Sequence, residues 1–215
     1  MNNQTLQIFL IVVIVLLVVI IVIQTFSIIF HNRFQSYINK HLKTKKRRKS
    51  KKATYEIDTF INNVSTALAK LSFDNVGGLI VIENNEKLDK YISQGVDVQT
   101  NFLPEFIVSV FYNHKSPLHD GAMIVRDLKI VSVSSYLPLT RKILSVDYGS
   151  RHRAAFGICE HYDCLSFVVS ETNGGITFIY KNIHKRLSNE PIKLSAELIE
   201  IFGRYWLYYK LVKRK

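Results

Sequence analysis

The feature that most constrains this chain is an uncharged segment near its start. No charged residue occurs from Ile8 to Phe30, and Ile8 to Ile23 is continuously apolar. As a helix rising about 1.5 Å per residue, the segment would reach roughly 35 Å, which is enough to cross a bilayer. It lacks the basic start and the small-residue cleavage site of a secretory signal peptide. We therefore predict one uncleaved transmembrane helix within residues 1–30.

A strongly basic segment follows the apolar one. Ten of the 29 Lys and Arg residues lie between Arg33 and Lys52, whereas no Lys or Arg precedes Ile8. Positive residues beside a span stay on the cytoplasmic side, so we predict a single-pass protein of the cell membrane, with its N-terminus outside and its remainder cytoplasmic. The basic tract, residues 31–52, would lie against anionic lipid headgroups of the bilayer. A nucleic-acid-binding arm is the alternative, but the tract adjoins the span and lacks interleaved aromatic residues.

The remainder, residues 53–215, is predicted to be one folded domain. It is nearly neutral, because 19 basic residues face 17 acidic ones, and this argues against a nucleic-acid partner. Strand and helix patterns alternate and one hairpin signal is present, which predicts an α/β fold with a mixed central β-sheet flanked by helices. Cys159 and Cys164 show neither a zinc nor a CxxC spacing and are predicted to be buried free thiols.

Hydrophobic periodicity locates the elements of this domain. Ala53 to Phe73 repeats apolar residues at three- and four-residue steps, as an amphipathic helix does, and Asp74 to Gly78 ends it. The aromatic tail, Leu194 to Leu211, is helical in pattern and is predicted to close the domain core, with a membrane-surface contact as the alternative. Val96 to Asn101 is predicted to be a loop. Further strands are predicted at Leu79–Ile82, Met123–Val125, Lys129–Ser135, Leu165–Val169 and Ile176–Tyr180, and further helices at Leu88–Ser93 and Leu103–Phe111.

The segment GSRHRAAFGICE, Gly149 to Glu160, joins a Gly-Ser turn to a small-residue helical stretch. This order puts a hydroxyl, backbone N–H groups and the guanidiniums of Arg151 and Arg153 at the start of a helix, where the helix dipole favours negative charge. Planar guanidinium groups bind phosphate oxygens in pairs, so this helix start suits a polyphosphate. A helix cap with two surface arginines is the alternative.

A second segment, Ser116 to Ala122, leads into a predicted strand. Proline and glycine bracket a turn that projects His119 and Asp120 from the strand end, while Gly121 and Ala122 leave the backbone open to a ligand. Imidazole beside carboxylate offers a metal ligand and a base for a hydroxyl proton. Taken alone, an Asp-Gly pair is more often a structural turn.

Two more strand ends carry aromatic or polar groups. Tyr136 and Leu137 follow one predicted strand and would offer an aromatic face and free backbone groups to a flat base, although an ordinary core tyrosine is the alternative. Ser170 and Glu171 end another strand. They would complete a polar cluster with His119, Asp120 and the arginines.

Together these segments resemble the diadenylate cyclase (DAC) domain family, whose signatures are a DGA motif and an RHR motif. The motifs stand here as Asp120-Gly121-Ala122 and Arg151-His152-Arg153. The segments SPLHDGAMIV, YLPL, GSRHRAAFGICE and FVVSE follow one another in the family's order. The resemblance runs from about Ala53 to about Lys181. With its single predicted span, the chain is similar to the membrane-anchored CdaM type of the family.

The resemblance implies a nucleotidyltransferase that condenses two ATP into the second messenger cyclic di-AMP and two pyrophosphates. Each domain would hold one ATP, and two domains would meet face to face as a homodimer. Each 3′-hydroxyl would then attack the α-phosphate of the other ATP. Phosphoryl transfer requires charge neutralisation and in-line placement, which arginines with a metal and a two-fold dimer would supply.

The resemblance also implies a role for each matching residue. Asp120 would take or orient the proton of the 3′-hydroxyl, with Arg151 and Arg153 as the other catalytic residues. Tyr136 would stack on adenine, and the Leu137 backbone would contact its amino edge. The residues implied to bind ATP are Gly121, Ala122, Tyr136, Leu137, Ser150, Arg151, His152, Arg153 and Ser170.

The metal ligands implied are His119 and Glu171. Imidazole with carboxylate suits Mn²⁺ or Co²⁺ as well as Mg²⁺, so the sequence does not select the ion. Two positions depart from the family: Ser150 replaces the usual Thr, and the second acid of the family's SEETG is missing after Glu171. A catalytically inactive, membrane-anchored adenine-nucleotide sensor is the alternative function, because it would share the fold and the phosphate-binding residues.

Overall fold

A computed structural model describes residues 24–25, 52–144, 146 and 148–206. The chain divides into two units, Met1–Lys51 and Lys52–Lys215. In the first, the described residues Gln24 and Thr25 are helical. No helix of the described residues is both long and apolar enough to cross a bilayer. Apart from Gln24 and Thr25, the span predicted at Ile8 to Phe30 lies outside those residues, so it stays a prediction.

The second unit alternates helices and strands. Its helices are α1 (residues 52–73), α2 (Asp89–Ile92), α3 (Pro104–Tyr112), α4 (Ser150–His161) and α5 (Pro191–Tyr205). Its strands are β1 (Gly78–Glu83), β2 (Val96–Asn101), β3 (Ala122–Arg126), β4 (Lys129–Ser135), β5 (Cys164–Val169), β6 (Ile176–Tyr180) and β7 (Ile183–Leu187). A short 3-10 helix, Pro117–His119, precedes β3.

The strands of the described residues form one sheet in the order β2-β4-β3-β1-β5-β6-β7. β1 and β3 are parallel, and the other neighbouring pairs are antiparallel. β1 lies at the centre, in keeping with its continuous apolar sequence, and all six of its residues are buried. The prediction of a mixed sheet flanked by helices is confirmed.

Both faces of the sheet are covered. Ile80 and Ile82 of β1 face a core built with α1, α3 and α5, whereas Leu79 and Val81 face a second core built with α4. Phe202 and Trp206 are buried in the first core, which confirms that the aromatic tail closes the domain. Cys159 and Cys164 lie in the second core as buried free thiols, as predicted.

Three predictions about elements were wrong or incomplete, all at edges or ends. Val96 to Asn101 was predicted to be a loop but is the edge strand β2, and the opposite edge strand β7 was not predicted. Both strands are mostly exposed, so their sequences lack the alternating apolar residues from which a strand can be predicted. They are strands because each pairs with a neighbouring strand. α5 begins at Pro191, earlier than Leu194, and ends at Tyr205 because Trp206 has an extended backbone. Residues 207–211 lie outside the described part.

Candidate active site

The predicted site residues meet at one edge of the sheet because of strand direction. β1 and β3 are parallel and both begin at this edge. β5 and β4 end there, because Val169 pairs with Gly78 and Ser135 pairs with Ala122 in antiparallel register. The groups that follow one another along the edge are Tyr136 after β4, Asp120 before β3, Gly77 before β1, and Ser170 with Glu171 after β5.

Asp120 stands at the end of a tight turn. The Ser116 hydroxyl accepts a hydrogen bond from the Leu118 N–H and caps the 3-10 helix that carries His119. The exposed Asp120 carboxylate accepts a hydrogen bond from the Gly121 N–H through Oδ1, at 3.0 Å. Gly121 has a φ of +89°, a left-handed conformation that favours glycine. The turn therefore presents the carboxylate to solvent, as the sequence predicted for this motif.

Tyr136 lies beside Asp120. Its side chain is 60% exposed, and its hydroxyl is 3.4 Å from Asp120 Oδ2. The next residues cross over α4: the Thr140 N–H donates to the Arg153 carbonyl at 3.0 Å. A Cβ at Gly157 would overlap the Pro138 carbonyl, so this glycine lets the segment lie directly on the helix.

The start of α4 has the features expected of an anion site. Gly149 is the N-cap and offers no side-chain cap. The first backbone bond runs from the Arg153 N–H to the Gly149 carbonyl, at 3.1 Å. The N–H groups of Ser150, Arg151 and His152 have no acceptor within the helix, as at any helix start, and the dipole adds positive potential there. The predicted helix start at the Gly-Ser turn is confirmed.

Arg151 is joined to Glu171 across this helix start. The Arg151 Nη1 donates to Glu171 Oε2 at 2.7 Å. The arginine side chain is only 16% exposed, whereas the glutamate is 65% exposed. The buried Arg151 Nε has no acceptor among the described residues. One predicted phosphate-binding residue and one predicted metal ligand are thereby brought together.

His152 points into the protein and away from the helix start. It is 4% exposed, its Nε2 lies 3.3 Å from the Thr177 hydroxyl, and its ring stacks on Tyr148. Burial, and to a lesser degree the charge of Arg186, lower the pKa of His152 from 6.5 to about 4, so the ring is neutral near pH 7. Consecutive helical residues project about 100° apart, so His152 cannot share the direction of Arg151. A phosphate contact from His152 would have to use its backbone N–H.

Arg153 and Ser170 complete the predicted phosphate-binding set. Arg153 is exposed on α4 and leaves the helix on a different side from Arg151, since two residues correspond to about 200° around the axis. Ser170 is half-buried, and its hydroxyl accepts a hydrogen bond from the Thr172 N–H at 3.3 Å. Its backbone is fixed by hydrogen bonds with Gly174 and Gly175, both at 3.0 Å. The turn after β5 is therefore well ordered without the family's second acid.

The His119 ring is held through one of its two nitrogens. Its Nδ1 lies 2.6 Å from the Ser116 carbonyl oxygen, a contact that places the proton on Nδ1 and leaves Nε2 free as a ligand atom. Glu171 offers a carboxylate, with one oxygen engaged by Arg151. In the described part of the chain, no group of three or more His, Cys, Asp or Glu could hold a metal ion. His119 and Glu171 fit as individual ligands but cannot fill an octahedral shell alone.

Sequence reasoning missed one residue of this site, Gly77. A Cβ at this position would lie 2.7 Å from Arg151 Nη1 and 2.9 Å from Glu171 Oε2. In the sequence, the Gly77-Gly78 pair signals only the end of α1. The contact with α4 joins residues far apart in the chain, so no local pattern could have indicated it.

Comparison with known proteins points to one family. The profile of the DAC family, described as DisA bacterial checkpoint controller nucleotide-binding, matches residues 65–183. The chain is 49% identical over 140 residues to a diadenylate cyclase of Mycoplasma genitalium, covering 65% of this chain and 70% of that protein. It is 46% identical over 148 residues to a diadenylate cyclase of Mycoplasma pneumoniae, covering 69% of this chain and 73% of that protein.

A solved structure shares the fold. The crystal structure of a double mutant of DacA from Staphylococcus aureus matches with a TM-score of 0.64 at 35% sequence identity. The match covers 71% of this chain and 99% of that one. The segment matched by the family profile contains every site residue predicted from the sequence.

Proposed function

The chain belongs to the DAC family and is a nucleotidyltransferase of the diadenylate cyclase class, and we propose that it condenses two ATP into cyclic di-AMP and two pyrophosphates at the edge formed by β4, β3, β1 and β5. The observation that carries this proposal is the shared edge itself. It places the exposed Asp120 carboxylate beside an exposed aromatic ring, near an uncapped helix start that bears Arg151. We assign these groups the roles of base, platform for the purine and phosphate site.

The nucleotide would lie along this edge with its base on Tyr136. An exposed ring beside a half-buried Leu137 leaves one aromatic face and the backbone groups of the segment accessible. Stacking of a base on an aromatic ring is worth about 1–3 kcal/mol. Gly121 and Ala122, which bear at most a methyl group, would let the ribose approach the strand end.

The triphosphate would extend toward α4. Ser150, Arg151 and the first N–H groups of the helix offer donors to phosphate oxygens, and the lack of a side-chain cap at Gly149 supports this proposal. Arg153 and Ser170 would bind further phosphate oxygens.

In the proposed step, the 3′-oxygen of one ATP forms a bond to the α-phosphorus of the other. The bond from that phosphorus to the bridging oxygen breaks, and pyrophosphate leaves. Asp120 accepts the proton of the attacking hydroxyl, or orients it. Two such steps, one from each copy of a face-to-face homodimer, close the ring.

A divalent ion, Mn²⁺ or Mg²⁺ with Co²⁺ as a third possibility, would neutralise charge on the phosphates. His119 and Glu171 would hold it, with the remaining ligands coming from oxygens of the nucleotide and water. We further propose that the predicted span keeps this domain at the cytoplasmic face of the cell membrane. This rests on the apolar segment and the basic tract of the sequence.

The proposal is tested with the purified full-length protein incubated with ATP and Mn²⁺, using mass spectrometry to detect cyclic di-AMP. We expect product from the native chain and a loss of at least about 100-fold for Asp120→Asn, which keeps the shape but removes the base. Lys90→Gln, at an exposed position of α2, is the control and should keep full turnover. Binding of labelled ATP without product from the native chain would instead support the sensor.

A further inference from the structure

Ser134 lies in an irregular part of β4 that the proposed reaction does not use. Ala122 pairs with Ser135 and Ile124 pairs with Ser132, so two steps along β3 correspond to three along β4. The extra residue makes a bulge, and Ser134 within it has a φ of 56°. Serine rarely adopts this left-handed conformation, so contacts around the bulge must hold it there.

The Ser134 hydroxyl supplies one such contact. It donates a hydrogen bond to the Pro117 carbonyl at 3.0 Å. Pro117 begins the 3-10 helix that carries His119 and leads to Asp120. The turn's own backbone bonds are long: His119 N–H to the Ser116 carbonyl and Asp120 N–H to the Pro117 carbonyl are both 3.4 Å. The bond from Ser134 is therefore shorter than either backbone hydrogen bond of the turn. Within the turn, only the side-chain contact from His119 Nδ1 to the Ser116 carbonyl, at 2.6 Å, is shorter.

A second contact joins the same two segments. Gly121 packs so closely on the bulge that a Cβ there would lie 2.9 Å from the Ser135 carbonyl oxygen and 3.0 Å from the Ser134 carbonyl carbon. The bulge also sets the direction in which the chain continues to Tyr136, whose hydroxyl approaches Asp120 Oδ2 at 3.4 Å. Ser134 thus stands between the segment with the aromatic ring and the turn with the carboxylate.

We propose that Ser134 is a positioning residue. Its hydrogen bond to Pro117 fixes the turn that presents His119 and Asp120, and so keeps these two residues at a set position relative to Tyr136. This inference rests on the proposed function for its catalytic consequence but not for its structural one. Both backbone hydrogen bonds of the turn are long, so without the bond from Ser134 its backbone would be held less firmly. Small misplacements of a reacting group are costly in rate.

The test compares full-length Ser134→Ala and Ser134→Gly with the native protein. Both variants remove the hydroxyl. Glycine also adopts the left-handed backbone conformation without strain, so Ser134→Gly should fold even if Ser134→Ala is destabilised. In both we expect amide hydrogen exchange at His119 and Asp120 to become about fivefold faster. We expect kcat to fall about tenfold, with KM for ATP and the midpoint of thermal unfolding little changed.

Ser93→Ala is the matched control. Its hydroxyl also donates to a backbone carbonyl at 3.0 Å, that of Lys90, but at the C-terminal end of α2 and not in the turn before Asp120. It should leave turnover and exchange at residues 119–120 unchanged. Native exchange rates in both Ser134 variants would overturn the proposal, as would faster exchange with unchanged kcat. If the native chain made no cyclic di-AMP, the proposed function would fail, while the exchange comparison would still decide whether Ser134 holds the turn.

Discussion

The ion pair between Arg151 and Glu171 depends on Gly77. Because glycine has no side chain, this position leaves the space that the guanidinium and the carboxylate occupy. The two nearest groups are ends of flexible side chains, so they could move aside if a methyl group were added, and the Glu171 Cβ at 3.1 Å would have to shift only slightly. A substitution there should therefore change the position of charges more than the stability of the fold.

For Gly77→Ala we expect turnover to fall about 10- to 100-fold, because Arg151 and Glu171 would be displaced from the proposed phosphate and metal positions. The midpoint of thermal unfolding should change little. Gly78→Ala is the matched control, since its Cβ would contact Leu71 and Phe111 in the core on α1 and α3. It should lower stability while the turnover of the folded protein stays close to native. Equal turnover in the two variants would contradict this role of Gly77.

His152 should make stability depend on pH. Its pKa is about 4 in the folded protein because of burial, against 6.5 for an ordinary histidine. Between these values the unfolded chain binds the proton more strongly, so the free energy of unfolding is highest above pH 6.5 and falls as the pH drops toward 4. At about 1.4 kcal/mol per pH unit, the loss reaches up to about 3 kcal/mol.

The measurement is urea unfolding of the native protein and His152→Gln between pH 7 and pH 4. Glutamine can still approach Thr177 but has no proton to gain, so its stability should fall less over this range. Parallel pH profiles for the two proteins would show that other groups cause the dependence.

At the scale of elements, α4 links the core to the site. Its first turn carries Ser150 and Arg151, whereas Ala155, Ile158 and Cys159 pack on the sheet. The segment after Tyr136 crosses the same helix at Gly157. The position of the aromatic ring relative to the proposed phosphate site therefore depends on this close contact and on the hydrogen bond from the Thr140 N–H to the Arg153 carbonyl.

We expect Gly157→Ala to destabilise the protein by about 1–3 kcal/mol, because the added methyl group would overlap the Pro138 carbonyl, which is backbone and cannot rotate away. Unfolding by urea measures this change. Gly149→Ala is the control, since a Cβ there would meet nothing within 4 Å, and it should cost less stability. A loss no larger than that of Gly149→Ala would contradict the close contact.

At the scale of the whole molecule, one domain supplies one Asp120 carboxylate and one α4 helix start. Closing the ring of cyclic di-AMP would need two of each, because it would take two phosphoryl transfers. The proposed homodimer supplies both, with each Asp120 acting on the nucleotide held by its own copy. Activity should therefore depend on association as well as on the residues of one site.

On dilution of the full-length protein, we expect the rate per molecule to fall at the concentration at which sedimentation shows dimers separating. Mixing native protein with excess Asp120→Asn should yield a linear adenine dinucleotide, because only one of the two attacks can proceed in a mixed dimer. A constant rate per molecule across a concentration range that separates the copies would exclude catalysis by a dimer.

The sequence by itself determined the α/β class, the buried strands and the helix that starts at the Gly-Ser turn, and its resemblance to a family supplied the residues of the candidate site. The first three depend on neighbours in the chain. The period of apolar residues, a Gly-Ser helix start and an Asp-Gly turn act over a few residues, so their physical effect is readable locally.

Only the tertiary structure decided that His152 faces the core, that Arg151 pairs with Glu171 beside Gly77, and that Ser134 holds the turn before Asp120. It also decided the edge strands β2 and β7, whose exposed side chains carry no apolar pattern. These features depend on sheet register and on contacts between residues 17 to more than 90 positions apart. Such contacts form only when distant segments pack together, and no local pattern encodes which segments meet.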